Sequence, residues 1–188
     1  MRATKLIYIE NDAALLNVLG GMLAKSPELE MLGAFGRAEE VIQRDVVLKA
    51  DVALIDFSLD PNGLNGVELG IALRNINEYI GIVIYSQFSV RQMVNRVPKQ
   101  MRSGWSFFDK SATMEISDYI GILKFTAAGK GNWEEVLAKE GVDHESEASV
   151  FFSLSPRQRS IMSLTSQGKS AQEIASQLNL SYSYVRKE

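Results

Sequence analysis

The chain has 188 residues, 46% apolar and 23% charged, with a net charge of −3, an ordinary globular composition with room for one full core and a second, smaller unit. It has no cysteine and one histidine, His144, which excludes disulfides, thiolate metal sites and His-based zinc centres and argues against histidine catalysis. The first apolar run ends at Glu10, too short for a signal peptide or a membrane helix, so a reducing, cytoplasmic setting with no membrane partner is expected.

Apolar runs then alternate with helical patterns as far as residue 128. Residues 6–9 read as a buried strand, and residues 13–25 as a helix through Leu15, Leu16, Leu19, Met22 and Leu23. Strand and helix follow at 31–35 and 37–49, at 52–55 and 66–76, at 80–85 and 89–102 (interrupted near Pro98), and at 105–108 and 113–128. Continuously apolar strands are buried on both faces, which suits a parallel sheet. Five β-α units in a row predict a five-stranded, doubly wound, flavodoxin-like α/β domain over residues 1–128. Gly129-Lys130-Gly131 then punctuates the chain. Residues 129–153 are acidic, contain one helical candidate at 134–139, and read as a linker.

Charge is unevenly spread. Residues 1–125 carry 13 Lys/Arg and 15 Asp/Glu, residues 126–153 carry 2 and 6, and residues 154–188 carry 5 and 2. Only the C-terminal segment is basic, which suggests contact with nucleic acid; a solvated helical face is the plainer alternative.

Polar residues gather where strands end. Glu10-Asn11-Asp12 follows the first strand, Asp56 ends the third, Ser86 the fourth, and Lys110 follows the fifth. A doubly wound sheet binds ligands outside the carboxyl ends of its strands, so the fold would bring these residues to one edge. They suit phosphoryl transfer to a carboxylate: Asp56 as nucleophile, Lys110 as counter-charge, Ser86 as a hydroxyl for a phosphoryl oxygen, and Mg²⁺ to offset the acidic groups. Each residue also has an ordinary alternative. Asp12 can cap the first helix, Lys110 can be a surface lysine, and Phe107 can be a core aromatic.

On "IYIENDAALL", "VALIDFSLD", "NGVEL", "IVIYSQ" and "WSFFDKSA", residues 4–128 resemble the receiver domain of two-component response regulators. The resemblance implies phosphorylation of Asp56 by a histidine kinase. It implies Mg²⁺ ligation by Glu10 or Asp12, Asn11, Asp56 and the carbonyl of Ser58, and a joint rearrangement of Ser86 and Phe107. Three positions depart from the pattern. Asn11 stands where the family has a ligating Asp, the loop from Asp56 to Gly66 is longer, and Gln87 replaces a small residue. They leave open an atypical, weakly phosphorylated receiver whose output is protein–protein interaction.

Residues 154–188 show two helical patterns, at 156–166 and 171–178, and the start of a third. Ser155 can cap a helix opening with Pro156, Gly168 can end it, and Ser170 with Glu173 forms a capping box for the next. Ile161, Met162 and Leu164, with Ile174, Ala175 and Leu178, supply the apolar faces. Ser181 then caps the last segment, which carries Val185, Arg186 and Lys187. Two short helices joined by a tight turn, the second basic, fit a helix-turn-helix. The spacing resembles the LuxR-type helix-turn-helix of NarL-type regulators, with Gln158 where that family has Glu. That resemblance implies DNA contact through Arg186 and Lys187, with Ser181 and Tyr182 nearer the backbone, and a possible homodimer. It also implies an incomplete DNA-binding unit, with the rest of the recognition helix and a fourth helix missing.

An enzyme with an Asp nucleophile would need a second carboxylate two residues on, where Ser58 stands. A nucleotide enzyme would need a glycine-rich loop after the first strand. Apart from its own phosphorylation and dephosphorylation, no enzyme activity is expected.

Overall fold

A computed structural model describes residues 2–43, 45–59, 63–87, 91–110, 114–138 and 156–187. Ser155, His144, Glu188 and linker residues 139–153 lie outside the described residues. The elements run β1 (Thr4–Ile9), α1 (Ala13–Ala24), β2 (Leu29–Phe35), α2 (Ala38–Ile42), α3 (Val46–Lys49), β3 (Val52–Asp56), α4 (Gly66–Ile76), β4 (Gly81–Ser86), α5 (Arg91–Val94), a 3₁₀ turn (Lys99–Met101), β5 (Trp105–Asp109), α6 (Ile116–Ala127), α7 (Trp133–Ala138), α8 (Pro156–Ser166), α9 (Ala171–Gln177) and α10 (Tyr182–Lys187).

The five strands form one parallel sheet in the order β2-β1-β3-β4-β5. The order reverses beside β1, so the carboxyl ends of β1 and β3 flank a crevice, the usual ligand position in such sheets. Alternate residues of each central strand face opposite layers. Leu6, Tyr8, Leu54, Val83 and Tyr85 pack with Leu19 and Leu23 of α1 and Leu123 of α6. Ile7, Ile9, Ala53, Ile55, Ile82 and Ile84 pack on the other face with Val41, Val47, Leu69, Leu73 and Met93. Gly70 lets α4 settle onto β5, because a Cβ there would lie 2.6 Å from the Trp105 ring.

Residues 37–49, expected as one helix, fold as two. Val41 and Val47 are both buried but six positions apart, a spacing one continuous helix would aim in different directions. The break lets both face the sheet, and the Asn77 amide donates to the carbonyls of Val47 and Ala50 at 2.9 and 3.2 Å. The helix expected over 89–102 reduces to α5 and the 3₁₀ turn, since Pro98 supplies no N–H and disfavours helical geometry at Val97.

Part of the expected linker belongs to the packing of the first unit. Asn132 lies beside the edge of β5 and pairs with Phe107 as a strand would, accepting its N–H at 2.8 Å and donating to its carbonyl at 2.7 Å. A Cβ at Gly131 would come within 2.0 Å of the Trp105 carbonyl. Trp133 and Val136 of α7 rest on the same core, so residues 131–136 continue the first unit.

The C-terminal helices enclose a small core of Ile161, Leu164, Ile174, Ala175 and Val185. Gly168 has φ +78° where α8 ends, Asn179 has φ 52° in the turn before α10, and Ser170 and Glu173 complete the capping box on α9.

Candidate functional site

The carboxyl ends of β1, β3, β4 and β5 bring Glu10, Asp56, Ser86 and Lys110 together. Asp56, the last residue of β3, is 4% exposed, and its carboxylate meets the Lys110 ammonium at 2.9 Å. The same ammonium reaches Glu10 at 3.0 Å and sits 4.3 Å above the Tyr85 ring. Lys110 is placed by its backbone, whose N–H donates to the Ser86 carbonyl at 2.6 Å just past the β4–β5 ladder. One cation therefore serves two buried carboxylates.

Burial pushes the Asp56 carboxyl up; Lys110 opposes this, Glu10 adds to it, and the result is a pKa of about 6. Burial alone would lower the Lys110 ammonium, but Asp56 and Glu10 outweigh it and the pKa rises. The pair is thus ionised above about pH 6, with Asp56 as the group that titrates first.

The acidic turn after β1 is already engaged. Glu10 accepts the Tyr85 hydroxyl, the Lys110 ammonium and the backbone N–H of Asp12. Asp12 caps α1, accepting from the N–H groups of Ala14 and Leu15 at 2.8 and 3.1 Å. Asn11 donates its amide to the Ser58 carbonyl at 2.9 Å. Among the described residues no group of three or more His, Cys, Asp or Glu forms a metal cage. The expected set of Glu10, Asn11, Asp12, Asp56 and Ser58 is gathered at one pocket, with several of its oxygens engaged by donors of the chain itself. Both Glu10 oxygens, Asp12 Oδ1, the Asp56 carboxylate and the Ser58 carbonyl each face such a donor.

Ser86 is fully buried at the end of β4. Phe107 is 2% exposed, stacked 5.9 Å from Trp105 and fixed by Asn132. Gln87 and Ser58 line the cavity beside Asp56. Its remaining wall comes from Ser163, Ser166 and Gln167 at the end of α8, and Met162 rests on the core of the first unit.

In α10, Ser181 accepts the Tyr184 N–H at 3.2 Å and starts the helix. Val185 is buried, while Tyr182, Arg186 and Lys187 are exposed, the guanidinium of Arg186 lying 5.9 Å from the Tyr182 ring. A short, capped helix presenting two cations is what a reading helix offers to phosphates and base edges.

Residues 152–186 match the family "Bacterial regulatory proteins, luxR family". Over 185 residues the chain is 24% identical to the response regulator VraR of Staphylococcus epidermidis, covering 98% of this chain and 86% of that protein. The nitrate/nitrite response regulator NarL of Escherichia coli is 25% identical over 186 residues, 96% of this chain and 83% of its own. The chain is thus similar over nearly its whole length to response regulators, and its C-terminal segment matches the luxR family. Its fold also matches the RcsB response regulator of Salmonella typhimurium, described for its DNA interaction, with a TM-score of 0.60, 18% identity, and coverage of 100% of this chain and 88% of that one.

Sequence reasoning missed three parts of this site. Tyr85 was legible: a phenol inside the apolar run "IVIYS" of a buried strand must find a partner, and that partner is Glu10. Tyr8, in "LIYIE", signals in the same way and pairs with Tyr85 at 2.7 Å. The wall supplied by α8 had no sequence signal, because it depends on how two separately patterned units meet.

Proposed function

We propose that this regulator is switched by phosphorylation of Asp56 and delivers its output to DNA through α9 and α10. The observation that carries the reading is the Asp56–Lys110 pair at 2.9 Å, buried yet opening into a cavity. A carboxylate oxygen of Asp56 attacks the phosphorus of a phosphohistidine on a partner kinase. The P–N bond breaks, the imidazole nitrogen takes a proton from solvent, and an acyl phosphate forms. Lys110 holds the added negative charge, and the Ser86 hydroxyl, one strand away, takes a phosphoryl oxygen. Hydrolysis restores the carboxylate and releases inorganic phosphate. Phe107 follows Ser86 in the rearrangement.

The output side rests on the exposed set Ser181, Tyr182, Arg186 and Lys187, with the two cations toward the major groove. A homodimer would match two half-sites. No described helix is long and apolar enough to cross a membrane, in keeping with a cytoplasmic regulator.

Intact mass after incubation with acetyl phosphate tests the reading. The wild type should gain one phosphoryl group and Asp56→Asn none. Equal labelling of the two would remove Asp56 from the role.

A further inference from the structure

The turn after β1 and the turn after β3 form opposite walls of the pocket, and one hydrogen bond joins them: Asn11 Nδ2 to the Ser58 carbonyl at 2.9 Å. This bond has a direction. Turned over, the amide would set its oxygen against the Ser58 oxygen, two acceptors face to face, so the donating orientation is the one the site favours without a cation. A cation held between the same turns would need both oxygens aimed at it. The observed bond therefore occupies one of the ligands such a cation would use and turns another away.

The other carboxylates are committed in the same sense. Both Glu10 oxygens are taken, Oε2 by Tyr85 and Lys110 and Oε1 by the Asp12 N–H. Asp12 uses Oδ1 to cap α1. Lys110 already bridges Glu10 and Asp56. Glu10, Asp56 and the Ser58 carbonyl, three groups a metal between the turns would use, are each already held by the chain itself.

We propose that Asn11 is a positioning residue that joins the two turns by a hydrogen bond where a divalent cation would join them by coordination, so that the pocket is assembled without Mg²⁺ and binds it weakly. This rests on reading the pocket as the phosphoacceptor site. Asn11→Asp exchanges a donor for a charged oxygen. The new carboxylate repels the Ser58 carbonyl, and a cation between them becomes the remedy. Asn11→Ala removes the tie and offers nothing in its place.

The experiment uses the full chain, scanned calorimetrically in EDTA and in millimolar MgCl₂. The wild-type Tm should be the same in both. Asn11→Asp should melt lower in EDTA and recover in Mg²⁺, with an affinity at least about tenfold above the wild type's. Asn11→Ala should melt lower in both. Backbone amide NMR shifts of Ser58 under Mg²⁺ give a second readout, moving in Asn11→Asp and still in the wild type. Equal Mg²⁺ stabilisation of wild type and Asn11→Asp overturns the proposal, as does an Asn11→Ala variant as stable as the wild type. Acetyl phosphate labelling separates the two readings. Mg²⁺ binding by Asn11→Asp with no label on Asp56 in any variant keeps Asn11's role and removes the phosphoacceptor. Labelling of the wild type that EDTA abolishes overturns the role of Asn11 and keeps Asp56.

Discussion

The Tyr8 and Tyr85 hydroxyls meet at 2.7 Å across β3, joining two strands that share no ladder. Tyr85 spends its single hydrogen on Glu10, so Tyr8 must donate to Tyr85. The result is a directed chain from Tyr8 through Tyr85 to Glu10, which Lys110 meets from the other side by donating to both Glu10 and Asp56. Burial raises the pKa of both phenols, and Glu10 raises them further, so both stay protonated and the chain keeps its direction.

Tyr85→Phe should cost about 1–3 kcal/mol, because it leaves the buried Tyr8 hydroxyl without a partner and takes a donor from Glu10. Tyr8→Phe should cost less, since Tyr85 keeps its bond to Glu10. Urea denaturation of both single variants and the double variant measures this. The double should cost less than the sum, and strict additivity would show that the hydroxyls are not coupled.

The stability of Asp56→Asn against wild type should depend on pH. The folded carboxyl titrates at about 6 against a reference of 3.8, so the fold favours its neutral form. The stability this gives is complete below the reference value and is lost as pH rises through about 6. Asp56→Asn avoids that loss, so its stability relative to wild type should climb between these two values and level off above them, by on the order of 3 kcal/mol. A gap that narrows with rising pH would reverse the sign. Over the same window, acetyl phosphate labelling of the wild type should speed up as the nucleophile ionises.

Lys110→Met leaves Glu10 and Asp56 buried without their shared cation. The cost should be about 3–5 kcal/mol near pH 8, easing toward pH 5 as a carboxylate takes a proton. Guanidinium melts at the two pH values would show it. A cost independent of pH would assign Lys110 to packing instead.

Asn132→Ala should free the edge of β5. It removes both bonds to the Phe107 backbone, at about 1–3 kcal/mol, and loosens Trp133 and Val136 from the core. Hydrogen exchange should quicken at Phe107 and in α7 while β1 and β3 stay protected. Uniform quickening across the sheet would mean that the effect is global.

On the output side, Arg186→Ala and Lys187→Ala should each lower the salt dependence of DNA binding by about one unit in the log–log slope. Fluorescence anisotropy of a labelled duplex at several salt concentrations reads this. An unchanged slope would place both cations away from phosphates.

The sheet was legible because apolar runs such as "VALI" and "GIVIY" are local signals, and so was the capping box at Ser170. Where the sequence misled, long-range contacts decided. The split of α2 from α3 follows from what Val41 and Val47 must both face, and residues 131–136 join the receiver through Asn132, a polar residue whose partner lies 25 positions away. The gathering of Glu10, Asp56, Ser86 and Lys110 followed from strand ends alone. Their charge state did not, because it depends on burial and on one ammonium shared by two carboxylates.

The edge of β5 also carries the chain's two tryptophans. Trp105 is enclosed beneath Gly70 and beside Gly131, and Trp133 lies under the Arg102 guanidinium, 5.5 Å from ring to charge. The aromatic residues of α8–α10 are tyrosines, Tyr182 and Tyr184. Light absorbed at the red end of the ultraviolet band is therefore emitted from one half of the molecule. Emission follows the melting of the receiver edge, while far-ultraviolet ellipticity follows both halves. Two melting curves that fail to superimpose would reveal that the halves unfold separately, with no label attached.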